Sequence, residues 1–158
     1  MSVIKPRTIL FLVGTAAIAL LAYAFYLQHY QDMAPCPLCV IQRYAFCGIA
    51  LFCLIGAFGN ATRLGGGLAL LSALGGAGTA IRHLWVLAHP GMSCGIDPME
   101  TALNRIFTAQ ILPQMFKADG FCSTPTPPIM GLSIPTWALI SFIVMAVLIV
   151  WSLLQHRD

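Results

Sequence analysis

Four long apolar runs, separated by short polar stretches, organise this chain. Ile9–Leu27, Tyr44–Ala61, Leu64–Ile81 and Pro135–Leu154 contain no Asp, Glu, Lys or Arg. Each is about the ~20 residues that a helix needs to cross a ~30 Å hydrocarbon core. The pattern predicts an all-α membrane protein: a four-transmembrane-helix bundle with a short helix in its long second outer loop. Spans are expected at about 9–27, 40–59, 64–87 and 134–154, in a single domain covering 1–158, with outer loops at about 28–39 and 88–133. The first run has a rival reading, since Lys5, Arg7, the apolar stretch and Ala22-Tyr23-Ala24 imitate a cleavable signal peptide. The apolar stretch continues past that site through Phe25, Tyr26 and Leu27, so it is read as a span.

Periodicity within the runs speaks of packing. Gly65, Ala69, Ala73 and Ala77 recur every four residues, as do Ser72, Gly76 and Ala80. Such small-residue faces let membrane helices approach closely. Cys47 and Cys53, inside the second span, are read as small buried hydrophobes. In the long loop, Asp97-Pro98-Met99-Glu100 has the form of an N-cap, a proline at N1 and an acid at N3. Met99, Leu103, Ile106, Phe107 and Ile111 then recur at helical spacing up to Pro113, which predicts one short helix lying on the membrane or on the spans. Thr124–Pro128, rich in proline, is expected to be extended.

Composition agrees with the class: 59% of the 158 residues are hydrophobic and only 8% are charged, and the mean hydropathy is +0.86. An ordinary soluble domain carries roughly 25% charged residues. No nucleic-acid partner is expected. The few charges predict orientation. Lys5, Arg7, Arg63 and Arg157 fall on one side, with Asp158 as the only acid. On the other, Arg105 and Lys117 are outnumbered by Asp32, Asp97, Glu100 and Asp119. Basic residues near span ends stay cytoplasmic, so both termini are expected inside and Cys36, Cys39, Cys94 and Cys122 outside. In a bacterium the outside is the periplasm, where disulfides persist. Arg43 and Arg82 lie near the outer span ends against this trend, which makes them functional candidates.

The candidate chemistry centres on Cys36-Pro37-Leu38-Cys39. Two thiols at this spacing can close a small disulfide ring. With a helix starting near Cys39, its sulfur sits where free N–H groups and the macrodipole favour a thiolate. Arg43 follows one turn later on the same face. A low-pKa thiolate beside a permanent cation at a bilayer edge suits electron transfer to a lipid-soluble acceptor. A C-x-x-C pair has other uses. Haem attachment needs His after the second cysteine, and Val40 is there. Zinc prefers a second close pair, whereas Cys94 and Cys122 are far apart. A metal-binding membrane protein, or a non-catalytic one whose disulfides staple its loops, is the alternative.

Cys36-Pro37-Leu38-Cys39 followed by Gln42-Arg43, then Arg82-His83-Leu84-Trp85 and Gly131-Leu132-Ser133-Ile134-Pro135-Thr136-Trp137, resemble the DsbB family of quinone-reducing thiol oxidases over nearly the whole chain. The resemblance implies an inner-membrane enzyme that reoxidises a DsbA-like periplasmic dithiol oxidase and passes electrons to ubiquinone or menaquinone. It places the quinone-adjacent pair on Cys36 and Cys39, the quinone-site arginine on Arg43, the quinone-site histidine on His83 and the loop pair on Cys94 and Cys122. No metal is implied. The chain departs from the family's pattern at Ser123–Pro128, where an aromatic contact is usual.

Overall fold

The computed structural model describes residues 5–59, 61–89, 98–123 and 127–155. Four long helices correspond to the four apolar runs: α1 (Pro6–Tyr30), α2 (Pro37–Phe58), α3 (Thr62–Ala88) and, after three short helices, α7 (Ile134–Gln155). Each is long and apolar enough to cross a membrane. They form a closed ring in the order α1, α2, α3, α7, so each helix packs on the next and α7 returns to α1.

Local sequence explains the helix ends. Proline stands at the first position of α1 and of α2, where its missing N–H is no loss. The N-cap of α2 is Cys36, whose Sγ accepts the Cys39 N–H at 3.4 Å. Gly59 closes α2 through its N–H to the Ile55 carbonyl at 2.8 Å, and α3 starts at Thr62. Before α7, Ile129–Leu132 form a two-residue hairpin with φ of 53° at Met130 and 84° at Gly131. Positive φ at both central residues is the geometry of a tight primed turn. Trp137 Nε1 donates to the Ile129 carbonyl at 3.0 Å and ties this turn to α7.

The core holds the buried faces of all four helices, with Leu10, Val13, Ile49, Cys53, Ala73, Phe142 and Ile149 among its members. Leu12, Leu71 and Val147, by contrast, point outward, as suits helices bathed in lipid. The small face of α3 is where neighbours come closest. A Cβ at Gly65 would fall 2.6 Å from Gly56 Cα, and one at Gly76 would fall 2.3 Å from the Phe142 ring. Phe142 is thereby pressed on α3 while it stacks on Phe46 at 4.2 Å.

The loop helix predicted as one element is three: α4 (Pro98–Asn104), α5 (Phe107–Ile111) and α6 (Pro113–Phe116). The extended backbone of Ile106 (φ −67°, ψ 138°) breaks the first junction. Pro113, with no N–H to give α5, opens α6. Asp97, expected as the N-cap, and Thr124–Thr126 of the proline-rich stretch lie outside the described residues.

These pieces pack on α2. Val40 shares a small core with Ala109, Phe116 and Ala118, Tyr44 stacks on Phe116 at 4.4 Å, and the Tyr44 hydroxyl bonds Thr108 Oγ1. Asn104 grips Ala118 on both sides, accepting its N–H at 2.8 Å and donating to its carbonyl at 3.0 Å.

Candidate active site at the loop end of the bundle

The N-terminus of α2 places the first two cysteines. Cys36 caps the helix and Cys39 is in its first turn; both are thiols, and the Cys36 S–H donates to Cys39 Sγ at 3.2 Å. His83, from the last turns of α3, is buried against both sulfurs. Its Nε2 is 3.8 Å from Cys36 Sγ and its Nδ1 is 3.9 Å from Cys39 Sγ. An imidazole at that range can hand a proton to a thiolate at either position or take one from a thiol there.

Cys122 arrives from the second loop. The Asp119 and Gly120 N–H groups both donate to the Pro35 carbonyl at 3.1 Å, and Gly120 lies so close to the first loop that a Cβ there would fall 2.4 Å from the Ala34 carbonyl oxygen. This double tether sets Cys122 in the same small core as Cys36, Leu38 and Val86. Cys36 therefore has a sulfur on two sides. Its thiol is pushed well above the ordinary range, first by its hydrogen bond with Cys122, then by Cys39 and by burial. Cys94, the other loop cysteine of the sequence analysis, lies outside the described residues.

The opposite side of Cys39 faces a cavity of about 350 Å³ between α1, α2, α7 and the 129–132 turn. Its walls are mostly apolar, including Leu20, Leu27, Phe46, Ile134 and Trp137, and its polar lining includes Cys39, Gln42, Arg43 and Gln28. Arg43 is only 8% exposed. Its Nη1 donates to Gln28 Oε1 at 2.8 Å and to the Met115 carbonyl at 2.9 Å, and Gln28 Nε2 donates in turn to the Gln114 carbonyl at 2.8 Å. A guanidinium withdrawn from water loses several kcal/mol of hydration. Two neutral acceptors hold it in place, and among the described residues no acid pairs with it, so the charge is available to an anion or a polarised oxygen.

Of the residues singled out in the sequence, Cys36, Cys39 and Arg43, together with His83, which the family resemblance supplied, come to one end of the bundle. His83 stands on the sulfur side and is not among the cavity-lining residues. Sequence reasoning missed the approach of Cys122 to Cys36 and the roles of Gln28 and Gln42. Gln42 had a signal, being a polar residue three positions after Cys39 at the mouth of an apolar run. The Pro35 tether had none, since backbone carbonyls carry no mark in a sequence. Cys36, Cys39 and His83 also bring their donor atoms within 4.8 Å of one another, a set that could hold a soft cation only with both thiols reduced.

Four membrane-length helices with a dithiol, an imidazole and a buried guanidinium at one end define a polytopic membrane protein with a thiol centre. Residues 6–152 match the family described as Disulfide bond formation protein DsbB. Disulfide bond formation protein B of Herminiimonas arsenicoxydans is 56% identical, over 98% of this chain and 99% of its own length. The protein of that name from Ralstonia nicotianae is 46% identical over 97% of both chains. That of Burkholderia pseudomallei is 45% identical over 99% of this chain and 95% of its own. The chain belongs to the DsbB family. It is a multi-pass inner-membrane protein of disulfide bond formation, a disulfide-forming oxidoreductase.

Proposed function

We propose that this protein reoxidises a DsbA-like, thioredoxin-fold dithiol oxidase in the periplasm and passes the electrons through two cysteine pairs to a membrane quinone. The observation that carries the reading is the position of Cys39, with Cys36 and His83 on one side and an apolar, guanidinium-bearing cavity on the other. The cavity fits a quinone headgroup in kind: it is of ligand size, its walls suit a lipid-soluble ring, and Arg43 supplies charged donors. A quinone bound there would supply a two-electron, two-proton acceptor; everything else is done by the chain's own residues.

In this reading the loop pair is Cys94 and Cys122, as the family resemblance implies, and the contact of Cys122 with Cys36 supports the step between the two pairs. A partner thiolate attacks the Cys94–Cys122 disulfide, forming a mixed disulfide at Cys94 and releasing Cys122 as a thiolate. Cys122, held beside Cys36 by the Pro35 tether, then attacks Cys36 Sγ of the Cys36–Cys39 disulfide. The Cys36–Cys122 bond forms, the Cys36–Cys39 bond breaks, and the electron pair leaves on Cys39. That leaving thiolate is stabilised by the start of α2 and by Arg43. The partner's second thiolate attacks the mixed disulfide and leaves oxidised, freeing Cys94, which attacks Cys122 to restore the loop disulfide and release Cys36. Cys36 and Cys39 are then a dithiol carrying the partner's two electrons at the edge of the cavity. His83, in reach of both sulfurs, takes and returns the protons. With the termini cytoplasmic, this chemistry faces the periplasm.

Purified protein, a reduced thioredoxin-fold oxidase and decylubiquinone provide the test, followed by quinone absorbance. The expected result is one quinone reduced per partner dithiol oxidised. Partner oxidation without quinone reduction would overturn the acceptor, and no partner oxidation would overturn the donor.

A further inference from the structure

One buried polar group is unused by these steps. Cys39, Gln42, Arg43 and Phe46 stand at i, i+3, i+4 and i+7, so they form a single stripe of α2, and all four line the cavity. Gln42 is 5% exposed. Among the described residues, its Nε2 is the only fully buried side-chain nitrogen or oxygen without a hydrogen-bond partner.

The neighbouring polar groups are answered: Arg43 by Gln28 and Met115, Gln28 by Gln114, Asn104 by Ala118. An unmet amide in apolar surroundings destabilises a fold, and a buried donor without a partner demands an explanation. A methionine would fill the same volume with nothing left unmet. The amide is explained if its partner is a ligand.

We propose that Gln42 is a quinone-binding residue, its Nε2 donating to a ring oxygen of the headgroup and so fixing how the ring is turned toward Cys39. This rests on the quinone reading above and adds a neutral donor beside the cationic one. The division of labour is physical. Arg43 favours whatever negative charge develops, whereas an uncharged amide discriminates by direction. It therefore rewards a ring with an oxygen at the right place and rejects one without it.

Gln42→Met, of equal length but with no donor, is the primary variant; Gln42→Asn, whose amide stops one methylene short, keeps polarity. Melting temperatures are read in detergent with and without decylubiquinone, alongside quinone KM and kcat. Bound ligand raises the melting temperature by mass action. For Gln42→Met the expected result is a quinone-free melting temperature equal to or above wild type, a smaller quinone-induced shift, and a quinone KM raised roughly three- to tenfold, the range of one neutral hydrogen bond. Saturated kcat should fall as well, because a ring no longer held by the amide is turned toward Cys39 for less of the time. Gln42→Asn should show the same KM defect, which keeps the test decisive if Gln42→Met fails to fold. A lowered quinone-free melting temperature with an unchanged quinone shift and KM in either variant would make Gln42 a structural amide and overturn the proposal. If the wild-type protein shows neither a quinone shift nor turnover, the acceptor reading falls first and takes this inference with it. The two failures are thus distinct.

Discussion

The two sides of Cys39 differ in almost every physical respect, although one sulfur separates them. On the inner side, Cys36, Cys39 and His83 meet at contacts of 3.2 to 3.9 Å around the α2 N-terminus, and the loop cysteine Cys122 shares a small core with Cys36. On the outer side, an apolar cavity of about 350 Å³ offers few polar groups, Arg43 and Gln42 among them, one helical turn along from Cys39. The inner side hangs on the second loop through the Pro35 tether. The outer side rests mainly on the α1–α2–α7 packing and meets the loops at its rim, where Met33, Ala34 and Pro35 line the cavity and the Met115 carbonyl accepts from Arg43. The proposed function would need such a partition, because its electron donor would be a folded protein in water and its acceptor a ring in lipid.

The sharpest way to break the comparison is to remove the outer charge. Arg43→Gln should raise the quinone KM by about 10- to 150-fold, from a lost charge-assisted hydrogen bond worth roughly 1.5–3 kcal/mol. Arg43→Lys should lose less, since it keeps the charge but not the fork of donors. Exchange with the partner should persist in both variants. Equal loss of both activities in steady-state assays would show that the two sides are not separable.

A smaller effect is expected from the inner side. Gly120→Ala would place a Cβ 2.4 Å from the Ala34 carbonyl oxygen, so the loops must part and Cys122 must retreat from Cys36. Turnover should fall roughly 5- to 30-fold if the strain is about 1–2 kcal/mol, the lower part of the usual overpacking range, with quinone KM changed less than kcat. A raised KM and normal kcat would place the damage on the wrong side.

The smallest effect is a titration. Cys36 is held above the ordinary thiol range chiefly by its hydrogen bond with Cys122. A raised pKa means that the neutral thiol persists as pH climbs, so in reduced protein Cys36 should alkylate with a midpoint above the ~8.5 of a free cysteine. Cys122→Ala should shift that midpoint downward, and iodoacetamide labelling with peptide mapping reads it directly. An unmoved midpoint would mean that Cys122 and Cys36 do not meet in the reduced protein.

What could be read in advance follows the range of the forces involved. The four spans were legible because ~20 uncharged residues have few other ways to satisfy their backbone than a membrane helix. Cys39 and Arg43 were legible as neighbours because a helix fixes i, i+4 geometry whatever the sequence around it. His83 on α3 joined them only through resemblance. The loop helix was overextended because hydrophobic spacing from Met99 to Ile111 does not reveal that Asn104 is gripping Ala118. The meeting of Cys36 and Cys122 was hidden for a similar reason: it hangs on the Pro35 carbonyl, and no side-chain pattern encodes it.

The contact between Gly56 and Gly65 acts as a hinge pin at the far end of a long lever. At 1.5 Å per residue, His83 stands roughly 27 Å further along α3 than Gly65. Tilting the α2–α3 crossing by about 2° at that pin would therefore swing the imidazole by ~1 Å, a misplacement that can slow a reaction about 100-fold. The alignment of the His83 imidazole with two sulfurs is in this way set where two backbones touch, at the opposite end of the bundle from the thiols.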